Sequence, residues 1–223
     1  MVYVALAVLP ALLLLVWLSH RERLARNEKR EVYRLYLLGA AIVLPAGLIE
    51  RLLLQSSVKW DGTGLSVTLT TAFFVAGMVE EFLKASIVDK GAIQRGIIHT
   101  PMDCIIYSGA TALGFATIEN ILYVTSSGFS TAILRSVTAI PAHLMFGIVM
   151  GSAFIRNLYF GASRGFAYIL PALAHGTYDT FALSSTWLSD ALLVAYLIVL
   201  LEYVLRRIDW AGRITSRRIA MAR

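Results

Sequence analysis

Cysteine occurs once in these 223 residues, at Cys104, which excludes a disulfide framework and any cysteine-rich metal site. Charge is scarce as well: 15% of the residues are charged, against about 25% in an ordinary globular chain. The zinc-hydrolase signature HExxH is absent. No soluble domain is left over, because the longest connections, roughly residues 51 to 65 and 89 to 103, are short for loops with structure of their own.

What fills the chain instead is apolar sequence. Hydrophobic residues make up 58% and the mean hydropathy is +0.71. A bilayer core about 30 Å thick needs roughly 20 mostly apolar residues per helix. Seven stretches meet that need, at roughly 2 to 19, 32 to 50, 66 to 88, 104 to 124, 132 to 155, 166 to 187 and 189 to 206. The expectation is an all-α membrane protein, a polytopic bundle of about seven transmembrane helices forming one domain over residues 1–223, with a basic tail from about 207 to 223. The first stretch lacks a basic region before it and a small-residue cleavage site after it, so it reads as an anchor.

Basic residues sort between alternate connections. Arg21, Arg23, Arg26, Lys29, Arg30 and Arg34 follow the first stretch, and Arg206, Arg207, Arg213, Arg217, Arg218 and Arg223 lie at or in the tail. Lys90, Arg95, Arg156 and Arg164 fall on the same side, whereas the opposite side has Arg51, Lys59 and Arg135. The positive-inside rule then puts the N-terminus outside and the C-terminus in the cytoplasm, which requires an odd number of helices. The net charge of +6 is explained by orientation and by contact with anionic lipid headgroups, not by nucleic-acid binding.

Four consecutive apolar stretches nonetheless carry ionisable groups: Glu80, Glu81 and Lys84; Glu119 beside Asn120; His143; and His175 with Asp179. Each charge costs at least ~2.5 to 3.5 kcal/mol at a helix centre, so these groups are expected to face a shared interior. Glu80 and Lys84, His175 and Asp179, and Phe115 and Glu119 are each four residues apart, hence on one helix face. Pro141 and Pro171 precede the two histidines; a proline inside a helix frees a backbone carbonyl and bends the axis, and bends near ionisable groups are what a water-containing cavity needs. The bland alternative is that Lys84 snorkels to the headgroups with one glutamate as partner, which leaves the other glutamate unexplained. GIVMG, residues 147 to 151, reads as tight helix packing.

Two adjacent carboxylates in low dielectric do not both ionise easily and so hold a shared proton, with Lys84 offsetting their repulsion. Such a pair suits general acid and base hydrolysis, and histidines on neighbouring helices can orient water, bind a metal or stabilise an oxyanion. Intramembrane Glu, His and Asp also mark proton relays, so a proton-coupled transporter or a non-catalytic binding scaffold is the alternative, although no inverted repeat stands out.

The order EExxK, FxxxE, a histidine helix and HxxxD resembles the PrsW family of intramembrane proteases, related to CAAX prenyl endopeptidases and bacteriocin-processing proteins. The resemblance runs from the second helix through the sixth. It implies cleavage of a membrane-anchored protein substrate, an anti-sigma factor in one branch of the family, in an integral cell membrane. It also implies a catalytic set of Glu80, Glu81, Lys84, Glu119, His143, His175 and Asp179. Glu80 is expected as the base, Glu81 as sharer of its proton, and Glu119 or Asp179 as the group that orients an imidazole. The family is described both as metal-dependent and as glutamic-type. A zinc cofactor held by His143, His175 and Glu119 and metal-free activation of water both stay open. Family members often carry an acidic residue followed by x-Glu-Pro in the first cytoplasmic loop; Arg26, Asn27, Glu28 and Lys29 depart from it, which bears on subfamily and substrate.

Overall fold

The computed structural model describes residues 2–20, 26–57, 64–184 and 186–221. Arg21, Arg23, Lys59 and Arg223, which entered the charge pattern, lie outside the described residues. Among the described residues there is no strand. The helices are α1 (Val2–Ser19), α2 (Arg26–Ala41), α3 (Val43–Ser57), α4 (Leu65–Leu69), α5 (Met78–Val88), α6 (Pro101–Ser127), α7 (Phe129–Val137), α8 (Ala139–Phe160), α9 (Phe166–Leu183) and α10 (Trp187–Met221). Two π-helical stretches, Thr70–Gly77 and Asp89–Ile93, join α4 to α5 and extend α5.

These elements form seven rods, because α2 runs into α3, α4 into α5, and α7 into α8. Among the described residues five of the rods, Glu28–Gln55, Leu65–Ile93, Pro101–Ser127, Phe129–Phe160 and Trp187–Met221, are long and apolar enough to cross a membrane, against the seven expected. The third rod ends at Ile93, past the expected 88, and the basic tail continues α10 as helix to Met221.

The centre is the α6/α8 pair, which is buried along most of its length. Its close approach comes from the GxxxG spacing. A methyl added at Gly147 would lie 2.8 Å from the Ser108 carbonyl oxygen of α6, and one at Gly151 would lie 2.5 Å from that of Cys104. Backbone contact of this kind lets dispersion hold helices together where lipid supplies no hydrophobic drive. The start of α6 is fixed by a capping box: the Thr100 side chain accepts from the Asp103 N–H, and the Asp103 carboxylate accepts from that of Thr100 at 2.7 Å.

α3 and α10 form the periphery. Leu44, Leu48 and Leu52 on α3, and Val194, Ile198 and Val199 on α10, are exposed. Apolar surface of this extent suits hydrocarbon as its solvent.

Candidate active site

The π-helical stretch Thr70–Gly77 ends one turn before the glutamate pair. Wide turns of this type recur at functional sites, and here a pair of glycines exploits one. A methyl at Gly77 would stand 2.9 Å from the Ala172 carbonyl oxygen and 3.2 Å from the Gly176 nitrogen, and one at Gly176 would run into the Phe73 ring. The backbones of the third rod and α9 therefore touch, which brings His175 alongside Glu81.

Lys84 is the hub. Its ammonium donates to Glu80 Oε2 at 2.9 Å, to Glu81 Oε1 at 2.8 Å and to His143 Nδ1 at 3.0 Å. It also lies 3.9 Å from the centre of the Phe115 ring, so the phenylalanine one turn before Glu119 faces a cation as well as a carboxylate. Lys84 is fully buried and does not snorkel; both glutamates partner it.

Two carboxylates hold the outer nitrogens of the histidines. His143, which accepts from Lys84 at Nδ1, donates from Nε2 to Glu119 Oε2 at 2.8 Å. His175 donates from Nδ1 to Glu81 Oε1 at 3.0 Å, and its Nε2 lies 3.3 Å from Asp179 Oδ2. Phe146, three residues after His143 on α8, stacks on the His175 ring with centroids 4.9 Å apart. Glu80, Glu81, Lys84, Glu119, His143, His175 and Asp179 thus join in one network contributed by α5, α6, α8 and α9.

Beside the network is a cavity of about 210 Å³, lined among others by Glu80, Glu119, His143, His175 and Asp179. It has room for several waters at roughly 30 Å³ each. Glu80 lines it and Glu81 does not. A larger recess of about 660 Å³, between residues 69–82 and 165–173, has no ionisable group except the Tyr168 phenol, and so is the poorer candidate for chemistry.

Two further charged residues line the cavity. Arg135, counted with the outer connections, turns inward from α7 and bonds Glu119. Glu50, at the end of the second predicted stretch, reaches it from α3, with Oε1 buried and no hydrogen-bond partner among the described residues. A lone glutamate in an apolar run is the signal for the second; for Arg135 it is a charge inside the predicted stretch 132 to 155, eight residues before His143. GASRG at residues 161–165 spells the GxSxG of serine hydrolases, yet it forms the turn between α8 and α9, where Ser163 is exposed and its Oγ accepts from the Gly165 N–H.

Glu80, Glu81, His143 and His175 each offer a ligand atom, all within 4.8 Å of one another. Two nitrogens and two carboxylate oxygens suit zinc by type and number, and histidines backed by carboxylates on the outer nitrogen are usual in metal sites. Glu81 Oε2 is buried with no hydrogen-bond partner among the described residues, which leaves a lone pair for a cation. Glu119 lies behind His143 in this arrangement, not among the four donors. The donor set fits a divalent metal by type and number, once the Lys84 ammonium moves off the three donors it bonds and His175 Nδ1 gives up its proton.

Comparison with known proteins identifies the family. Residues 28–205 match the profile described as PrsW family intramembrane metalloprotease. Protease PrsW of Clostridioides difficile (strain 630) is 33% identical over 215 residues, covering 92% of this chain and 89% of that protein. Protease PrsW of Shouchella clausii (strain KSM-K16) is 34% identical over 190 residues, covering 83% and 85%. That of Bacillus subtilis (strain 168) is 27% identical, covering 79% and 80%. No solved structure matches the chain. With its apolar helices and buried glutamate and histidine network, this chain is a multi-pass membrane protease and belongs to the PrsW family of intramembrane metalloproteases.

Proposed function

We propose that the protein hydrolyses a peptide bond in a membrane-anchored protein using water activated by Glu80. The observation that carries this is the unequal setting of the pair: both glutamates bond Lys84, and Glu80 alone lines the cavity. Glu80 takes a proton from water there, and the hydroxide adds to the scissile carbonyl carbon to give a tetrahedral oxyanion. Collapse breaks the C–N bond as Glu80 returns the proton to the leaving amine, the exchange expected of a general acid and base. Without metal, His143 and His175 orient the water or donate to the oxyanion, with Glu119 and Asp179 fixing their rings; with zinc bound they would serve as its ligands instead. Without metal, Glu81 shares the proton; in either case Lys84 balances the charge.

Zinc is the proposed cofactor. His143, His175 and Glu81 would hold it, leaving Glu80 toward the cavity. Bound there it would supply a Lewis acid for water and carbonyl. The substrate class is a membrane-anchored protein such as an anti-sigma factor. The whole chain acts as one domain of seven spans, with its N-terminus outside and its basic tail in the cytoplasm.

The test uses purified protein in liposomes with membrane-tethered peptides, and cleavage read by mass spectrometry. The expected result is cleavage by wild type, loss in His175→Ala, loss on treatment with a chelator and recovery with zinc. Cleavage that persists through exhaustive chelation would remove zinc from the proposal and assign the chemistry to glutamate and histidine alone. Cleavage unchanged in His175→Ala would remove that histidine from the mechanism.

A further inference from the structure

We infer that Arg135 is a positioning residue of the proteolytic site, acting through Glu119 on His143. The inference rests on the role proposed for His143. Gly128, at φ +84°, reverses the chain after α6, and α7 returns along the end of α6. From α7 the guanidinium reaches three α6 residues. Its Nε donates to Asn120 Oδ1 at 3.0 Å, its Nη2 lies 3.0 Å from Glu119 Oε2, and its centre lies 3.8 Å from the middle of the Tyr123 ring.

The same oxygen, Glu119 Oε2, accepts from His143 Nε2. One carboxylate oxygen thus joins Arg135 to the imidazole whose other nitrogen bonds Lys84. Orientation toward lipid headgroups does not account for a guanidinium whose side chain is only 18% exposed and which has three partners. Its planar fork holds Glu119 and Asn120 together, a geometry a lysine cannot reproduce in full. Without it, Glu119 is free to leave the rotamer that fixes the ring and tautomer of His143.

The test compares Arg135→Ala, Arg135→Lys, Glu119→Gln and the Arg135→Ala/Glu119→Gln double variant in the peptide assay. Arg135→Ala is expected to lower kcat about 10- to 100-fold, as loss of outer partners of a functional histidine does, with KM nearly unchanged. Arg135→Lys and added guanidinium are expected to restore part of it. On the Glu119→Gln background the same change is expected to cost little, since both residues act through one oxygen. Losses that multiply in the double variant, or a raised KM with kcat intact, would overturn the inference.

A second readout does not depend on cleavage. The chain has four histidines, so nitrogen NMR of the labelled protein can follow the tautomer of His143. A change in its ring signals in Arg135→Ala supports positioning even if no tested peptide is cut; unchanged signals together with unchanged kcat refute it.

Discussion

Lys84 carries the most weight among single residues. A buried ammonium bonded to two carboxylates and an imidazole leaves those acceptors uncompensated when it is removed. Breaking a buried ion pair from one side costs about 3–5 kcal/mol, whereas an exposed pair is worth about 0–1 kcal/mol. Lys84→Met is therefore expected to lower the Tm of the detergent-solubilised protein sharply and to abolish cleavage. A Tm near that of wild type would contradict the hub. The adjacent carboxylates of α5 divide their work in the same frame: Glu80 meets the cavity, and Glu81 ties Lys84 to His175.

Between elements, the contact that sets the site is the approach of Gly77 to Gly176. Gly77→Ala puts a methyl 2.9 Å from the Ala172 carbonyl oxygen, so the third rod must shift from α9 and His175 must draw away from Glu81. The expected cost is about 1–3 kcal/mol, as for other overpacked contacts, with a fall in kcat. Gly212→Ala is the control, because its methyl meets only the flexible end of Met102 at 3.4 Å, and it should leave both Tm and kcat unchanged. Equal behaviour of the two variants in thermal and kinetic assays would show that the glycine contact does not set the site. The helical rods and the three four-residue spacings were legible in the sequence because apolar length and helical period are local properties. The π-helical stretches, the break at Thr138 between α7 and α8, and the inward turn of Arg135 were not. Each depends on what another element presents to it, and an arginine near the outer end of an apolar stretch looks the same whether it faces headgroups or a buried glutamate.

At the scale of the molecule, Arg135 leaves the count of headgroup-facing cations, which sharpens the asymmetry used to propose orientation. Cys104 is fully buried, so a second, introduced cysteine can be labelled against a quiet background. Ser163→Cys, in the exposed turn after α8, is expected to react with an impermeant thiol reagent from the cytoplasmic side, and Ser127→Cys, exposed at the end of α6, from the outer side. The reverse pattern in sealed vesicles would invert the proposed topology. Whether Glu80 activates water for peptide hydrolysis is decided by the cleavage rate of Glu80→Gln on a membrane-tethered substrate. Glu80→Gln is expected to lose at least about 100-fold, the scale of general acid and base catalysis, with its amide oxygen still accepting from Lys84 so that the fold is kept; a rate equal to wild type would refute the role given to Glu80.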